Sequence, residues 1–194
     1  MQDLCRQYNI NIVGGDLSAS WKLVIDVSML GLVEKNHLAL RSNAKAGDLI
    51  FVTGELGGSI SGKHLKFTPR LMESRFLVRN FKVGAMIDIS DGLLQDLGHI
   101  LSSSRVGALV YEGLIPLSKK SKGLGEALRS GEEFELLFTL SRCEAKRMLK
   151  RNLVNFKLIG EITRRSCGFK LIENCGRVKV VDLSGKGACG FRHF

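Results

Sequence analysis

The five cysteines of this 194-residue chain, Cys5, Cys143, Cys167, Cys175 and Cys189, include no C-x-x-C spacing, which excludes the short-range zinc and dithiol redox motifs. Their odd number reads as free, reduced thiols. No apolar run nears the roughly 20 residues of a bilayer-spanning helix, and Met1-Gln2-Asp3-Leu4-Cys5-Arg6 lacks the charged-then-apolar layout of a secretory signal. The expectation is a cytoplasmic protein with no membrane partner. The nucleotide-binding pattern G-x-x-x-x-G-K-[ST] is missing, because Gly62-Lys63 is followed by His64. Aromatics do not interleave with the basic residues as single-strand readers require, so no nucleic-acid partner is expected. His37, His64, His99 and His193 show no metal spacing, and Ser90 has no local histidine with which to build a hydrolase triad. Internal repeats and low-complexity tracts are also lacking.

What is present is a globular composition, 44% apolar, with 29 Lys and Arg against 19 Asp and Glu. The resulting charge of +10 favours anionic partners such as nucleotides or phosphorylated metabolites. Apolar alternation at Ile10, Ile12 and Val13 predicts a strand leading into Gly14-Gly15, and the run 23–32 predicts a second. Residues 36–47 read as a polar connector, and the composition shift near residue 36 is the expected domain boundary. Further strands are predicted over 48–53, 85–89, 107–111, 134–140 and 156–162, with a hairpin of 169–172 and 178–183 about the turn Glu173-Asn174-Cys175-Gly176. Helical spacing is weak over 71–81, clear for Leu93, Leu94, Leu97, Ile100 and Leu101, and charged over 143–151. Strands and helices without strict alternation predict an α+β sandwich, a mixed sheet packed on helices.

The segment Ile87-Asp88-Ile89-Ser90-Asp91-Gly92 carries the strongest chemical signal. In a strand Ile87 and Ile89 face the core while Asp88 and Ser90 share the other face, and Asp91 falls where it would cap the following helix. Two carboxylates and a hydroxyl then converge at a helix amino terminus, a plausible setting for magnesium and phosphate. Spacing alone leaves a plain cap with a solvated Asp88 equally open. Gly14-Gly15-Asp16 could bring backbone to a phosphate or be an ordinary turn. The glycine-rich stretch Thr53-Gly54-Glu55-Leu56-Gly57-Gly58-Ser59 is assigned to close helix–strand packing, and Gly131-Glu132-Glu133-Phe134-Glu135 reads as an acidic loop in which Glu133 and Glu135 share a face.

In order along the chain, these segments resemble thiamine-monophosphate kinases of the aminoimidazole ribonucleotide synthetase-like superfamily. The resemblance runs through Gly14-Gly15-Asp16, residues 40–54, Pro69-Arg70, residues 87–100 and 130–139, Ile159-Gly160-Glu161-Ile162-Thr163 and the terminal Gly190-Phe191-Arg192-His193-Phe194. It implies ATP-dependent phosphorylation of thiamine monophosphate to thiamine diphosphate, with Mg2+ and with ATP as co-substrate. It implies magnesium-site carboxylates at Asp16, Asp88 and Asp91, ATP contacts at Gly15, Asp16, Arg41 and Ser90, and thiamine-phosphate contacts at Glu132 and Phe191. No covalent nucleophile is assigned. Residues 1–35 would be the last helix and strands of the family's amino-terminal ATP-binding domain, and 36–194 its carboxy-terminal α/β sandwich. The rest of the amino-terminal domain is not encoded here, and the pattern's Gly-Gly-Glu-Asp-Tyr stands as Ser130-Gly131-Glu132-Glu133-Phe134. The expectation is either a partner, as a homodimer or a separately encoded amino-terminal half, or a sequence that is a fragment of a longer protein. An inactive remnant of that kinase and a related superfamily synthetase remain alternatives.

Overall fold

The computed structural model describes residues 1–151 and 155–182. These divide after Leu32 into two units. In the first, helix α1 (Gln2–Tyr8) ends at Asn9, whose left-handed backbone (φ 54°) turns its N–H back onto the carbonyls of Arg6 and Cys5. No strand follows. The two strands expected over 10–13 and 23–32 are not formed, because a strand exists only where its N–H and C=O groups meet those of a neighbour. The alternating apolar side chains instead face solvent, with Val13 97% and Leu30 104% exposed.

The second unit is built on strands β1 (Leu49–Thr53), β2 (Val83–Asp88), β3 (Gly107–Tyr111), β4 (Leu136–Leu140), β5 (Phe156–Thr163), β6 (Phe169–Ile172) and β7 (Val178–Val180). They form a single sheet in the order β2-β4-β1-β5-β3-β6-β7. Every pairing is antiparallel except β3 with β6, so the sheet is mixed, as the unalternating pattern predicted. Helices α2 (Leu71–Asn80), α3 (Leu93–Ser104), α4 (Leu124–Arg129) and α5 (Arg142–Lys150) complete it. The short α4 has no counterpart among the sequence expectations.

The period of two along β1 explains why the sheet is covered on both sides. Ile50 and Val52 join Ala85, Ile87, Leu137 and Ile159 in a core sealed by Leu93, Leu97 and Ile100 of α3 and Ala127 and Leu128 of α4. Phe51 points the other way, stacking on Phe138 at 5.5 Å in a second core closed by Leu77 of α2 and Ala145 and Met148 of α5. Ser141 caps α5 by accepting from the Glu144 N–H. Cys5, Cys143, Cys167 and Cys175 are free thiols, as expected. Cys189 and His193 lie outside the described residues. Among the described residues, no helix is long and apolar enough to cross a membrane.

Candidate functional site

Strand β2 carries its apolar face inward through Ile87 and the fully buried Ile89, leaving Asp88 exposed at the strand end. The turn that follows differs from the sequence expectation. Asp91 is not the cap of α3. That position belongs to Gly92 (φ 112°), where any Cβ would stand 2.9 Å from the Arg129 carbonyl oxygen. The orphan donors of the helix start are met from inside the helix, because one Asp96 oxygen, Oδ2, accepts from the N–H groups of Ser90, Asp91 and Gly92 at 3.0, 3.0 and 3.1 Å. Asp96 is 1% exposed. Burial raises its pKa to about 6; the Asp91 N–H bond opposes the rise, while the charges of Asp91 and Asp88 add to it.

Asp91 also accepts from Gln95 Nε2 at 3.4 Å, and its Oδ2 lies 4.0 Å from His99 Nε2. Asp91, Asp96 and His99 each bring a ligand atom within 4.8 Å of the others. His99 is thus drawn beside carboxylates although its spacing in the sequence gave no metal signal. The remaining histidines that the structure describes are structural: His64 Nδ1 meets the Ser59 carbonyl at 2.8 Å, and His37 pairs with Glu34.

The second wall of the site is the turn before β4. The Glu132 N–H donates to the Ser90 carbonyl at 2.7 Å, the Phe134 N–H to the Ile89 carbonyl at 2.9 Å, and the Ile89 N–H to the Glu135 carbonyl at 2.7 Å. Two segments more than forty positions apart are thereby laced together, and Asp88, Ser90, Asp91 and Glu132 are brought to one end of the sheet.

Residues 131–135 form a loop, as expected, but not one whose acids are all solvated. Glu133 and Glu135 do share a face, but it is the buried one, with exposures of 0% and 1%. Glu133 accepts from the Gly57 N–H at 2.7 Å and faces Lys63 Nζ at 3.3 Å. Glu135 accepts from the Thr53 hydroxyl at 2.7 Å, from Lys63 Nζ at 2.9 Å and from both Nε and Nη2 of Arg70 at 2.8 Å. Burial alone would raise the Glu135 pKa, but the bonds from Arg70, Lys63 and Thr53 outweigh it and leave the group below the ordinary value. The glycine-rich stretch serves close packing at Gly57, where a Cβ would lie 3.4 Å from Ala127 Cα of α4, but it does more than that. Gly54 (φ 65°) wraps this carboxylate so closely that a Cβ would lie 2.7 Å from Glu135 Oε1.

Arg41 does not join this cluster. Its carbonyl accepts from Ser104 Oγ at 2.8 Å, at the far end of α3 from Asp91. Gly15 and Asp16 belong to the first unit, where nothing lies within 4 Å of a Cβ built on Gly15 and Asp16 accepts from Ser18 Oγ at 3.3 Å. Phe191 lies outside the described residues. Sequence reasoning missed Asp96, Lys63, Arg70 and Glu135. For Asp96 a signal existed, since it stands inside the apolar stripe of Leu93, Leu97 and Ile100, where an acid must find buried donors.

Carboxylates are thus gathered at a strand end, with an embedded helix start and a glycine-wrapped ion network behind them. The AIR synthase related protein, C-terminal domain, family matches residues 45–172. The thiamine-monophosphate kinase of Buchnera aphidicola subsp. Schizaphis graminum is 37% identical over 222 residues, covering 98% of this chain and 66% of that protein. The chain thus spans just under two thirds of that relative's length. Among solved structures, thiamine-monophosphate kinase from Stenotrophomonas maltophilia K279a superposes with a TM-score of 0.62 at 28% identity, over 75% of this chain and 55% of that one. AaThiL complexed with AMPPCP and TMP gives a TM-score of 0.62 at 25% identity, over 80% and 54%. With two thirds of its residues inside the matched domain, the chain belongs to the AIR synthase related protein family, whose C-terminal domain it carries.

Proposed function

We propose that this chain is the carboxy-terminal part of an ATP-dependent thiamine-monophosphate kinase and works in the cytoplasm. In this reading residues 1–35 belong to the amino-terminal domain and 36–194 form the carboxy-terminal domain. The chain covers 66% of the Buchnera relative, and the part of the fold beyond that coverage would supply the remainder of the nucleotide site. The observation that carries the reading is the 2.7 Å hydrogen bond from Glu132 to Ser90. It ties a carboxylate-bearing turn suited to the thiamine substrate to the turn that bears Asp88 and Asp91. Similarity over nearly the whole chain to a thiamine-monophosphate kinase supports the same assignment.

Phosphoryl transfer needs positioning and charge neutralisation more than covalent chemistry. Asp88 and Asp91 supply hard oxygen donors, and their charges already push Asp96 towards its protonated form, a repulsion that a dication would relieve. These residues fit Mg2+, which when bound neutralises phosphate charge. Asp96 fixes the turn backbone that carries Ser90 and Asp91. Because its carboxylate takes the Ser90 N–H, Ser90 is left to reach ATP through its hydroxyl. The family resemblance further assigns Gly15, Asp16 and Arg41 to ATP, Asp16 also to magnesium, and Glu132 and Phe191 to the thiamine substrate.

The test is reconstitution. The chain is mixed with the amino-terminal half of the Buchnera relative, magnesium-ATP and thiamine monophosphate, and thiamine diphosphate is measured. Product is expected from the pair and from neither part alone, and Asp88→Asn should lower kcat by about 100-fold or more. A folded pair that makes no thiamine diphosphate would leave the inactive remnant as the better reading.

A further inference from the structure

Val83 opens β2 and Asp88 closes it, a separation of roughly 16 Å at the ordinary rise of a strand. At the Val83 end, away from the carboxylates, a cavity of about 410 Å³ lies between the segment 36–39, the end of α2 and Arg147 of α5. That volume suits a small ligand. The wall has one chemical bias. Asn36, His37, Arg79, Asn80, Lys82 and Arg147 all line it with N–H-bearing side chains, and no Asp or Glu does so.

Part of this charge is already spoken for. Arg147 Nη1 donates to both oxygens of Glu144 at 2.8 and 2.7 Å, and His37 pairs with Glu34. Arg79 and Lys82 differ. Both are exposed, and among the described residues neither side chain forms an ion pair.

The corner that carries them is held in place. The Asn80 carbonyl accepts from Arg147 Nη2 at 3.5 Å, Asn80 Oδ1 accepts from Arg151 Nη1 at 3.3 Å, and Asn80 Nδ2 donates to the Phe76 carbonyl at 2.9 Å. Both guanidinium groups also lie over the ring of Phe81, at 5.7 and 5.5 Å, and Phe81 is 5% exposed. A helix ends in a negative pole, which opposes an anion. Here the Leu77 carbonyl is taken by the Phe81 N–H at 2.9 Å and the Asn80 carbonyl by Arg147, which blunts that opposition. Two uncompensated cations on a concave wall without acids focus a positive potential. Arg79 offers the planar fork that matches phosphoryl oxygens, and Lys82 adds a point charge beside it.

We propose that this cavity binds a small phosphorylated anion, pyrophosphate or a phosphate monoester, through Arg79 and Lys82. The site is separate from the Asp88 end of the sheet, and the proposal does not depend on the kinase reading.

The experiment is isothermal titration of pyrophosphate and of glycerol 3-phosphate into the full chain, in buffer containing EDTA. The chelator removes any metal that would draw phosphate to the Asp88 end. Binding is expected with a Kd below about 1 mM for at least one probe. The tighter of the two identifies the source, pyrophosphate or ester. Arg79→Gln combined with Lys82→Gln should weaken that binding about tenfold or more, and Arg79→Lys alone, which keeps the charge but not the fork, should weaken it less. Lys119→Gln combined with Lys120→Gln removes the same charge from an exposed pair elsewhere and should leave the affinity within about twofold. Circular dichroism confirms the fold of each variant. Unchanged affinity in the folded Arg79/Lys82 double variant overturns the site. Equal losses in the two double variants overturn it as well, since they would show attraction to the net charge alone, and so does the absence of binding by both probes up to about 10 mM.

Discussion

Asp96 and Glu135 are each 1% exposed and lie on neighbouring turns at the same end of the sheet, yet the protein stabilises them in opposite ways. Glu135 is surrounded by cations, with a bidentate Arg70, Lys63 and the Thr53 hydroxyl, and its pKa falls below the ordinary value. Among the described residues, Asp96 has no cation in hydrogen-bonding contact. It is held by three backbone N–H groups and sits near two other acids, and its pKa climbs to about 6. The first arrangement is a neutral lock that fixes the Glu132–Phe134 turn. The second keeps negative charge concentrated around Asp88 and Asp91 while fixing their backbone, as a group awaiting a cationic ligand requires.

This contrast can be broken most severely on the lock side. Arg70→Ala removes the bidentate partner of a buried carboxylate and should lower stability by about 3 kcal/mol, the lower end for a broken buried pair because Lys63 remains and Arg70 is partly solvated. Urea unfolding measures it, and a loss below about 1 kcal/mol would show that water already reaches Glu135. On the other side, Asp96→Leu strands three N–H groups and should cost about 2 kcal/mol, whereas Asp96→Asn, which keeps an acceptor oxygen, should cost about half as much. Equal losses in the two variants would mean that packing, not the three bonds, is what Asp96 provides.

The pH dependence sharpens the same comparison. A carboxyl whose pKa is raised on folding favours the folded state at low pH, so the Asp96 contribution is full below 3.8 and is lost as pH rises through about 6. Glu135 runs the other way, present above 4.5 and lost as pH falls through its lowered folded value. In chelator-containing buffer, thermal melts of Asp96→Asn should therefore lose the decline that the unaltered chain shows between 3.8 and about 6. Gly54→Ala should cost about 1 to 2 kcal/mol, from its positive φ and the pressure on Glu135. A neutral outcome there would show that the Arg70–Glu135 pair can shift as a unit.

How much of this was legible in the sequence depended on the range of the cause. Ile87, Ile89 and the α3 stripe announce themselves through local periodicity, and the strand end bearing Asp88 and Asp91 was placed correctly. The true cap was not, because Asp91 satisfies the usual local rule while Asp96 wins by being buried and reaching three donors at once. Burial of Glu133 and Glu135 was invisible, since it is decided by Lys63 and Arg70 some seventy positions away. Local alternation also misled over 10–32, where the pattern of a strand is present but the neighbour that would make it one is not.

That same segment has a consequence for how the polypeptide behaves in bulk. Val13, Leu17, Leu23, Leu30 and Leu32 are all at least 88% exposed on a stretch with no ladder of its own, while the sheet behind the site is covered on both faces. The consequence expected is colloidal, since these side chains give copies of the chain an apolar surface through which to associate. Light scattering should rise with concentration while the melting transition stays put, and a lysine at Leu30 should improve solubility without touching the site.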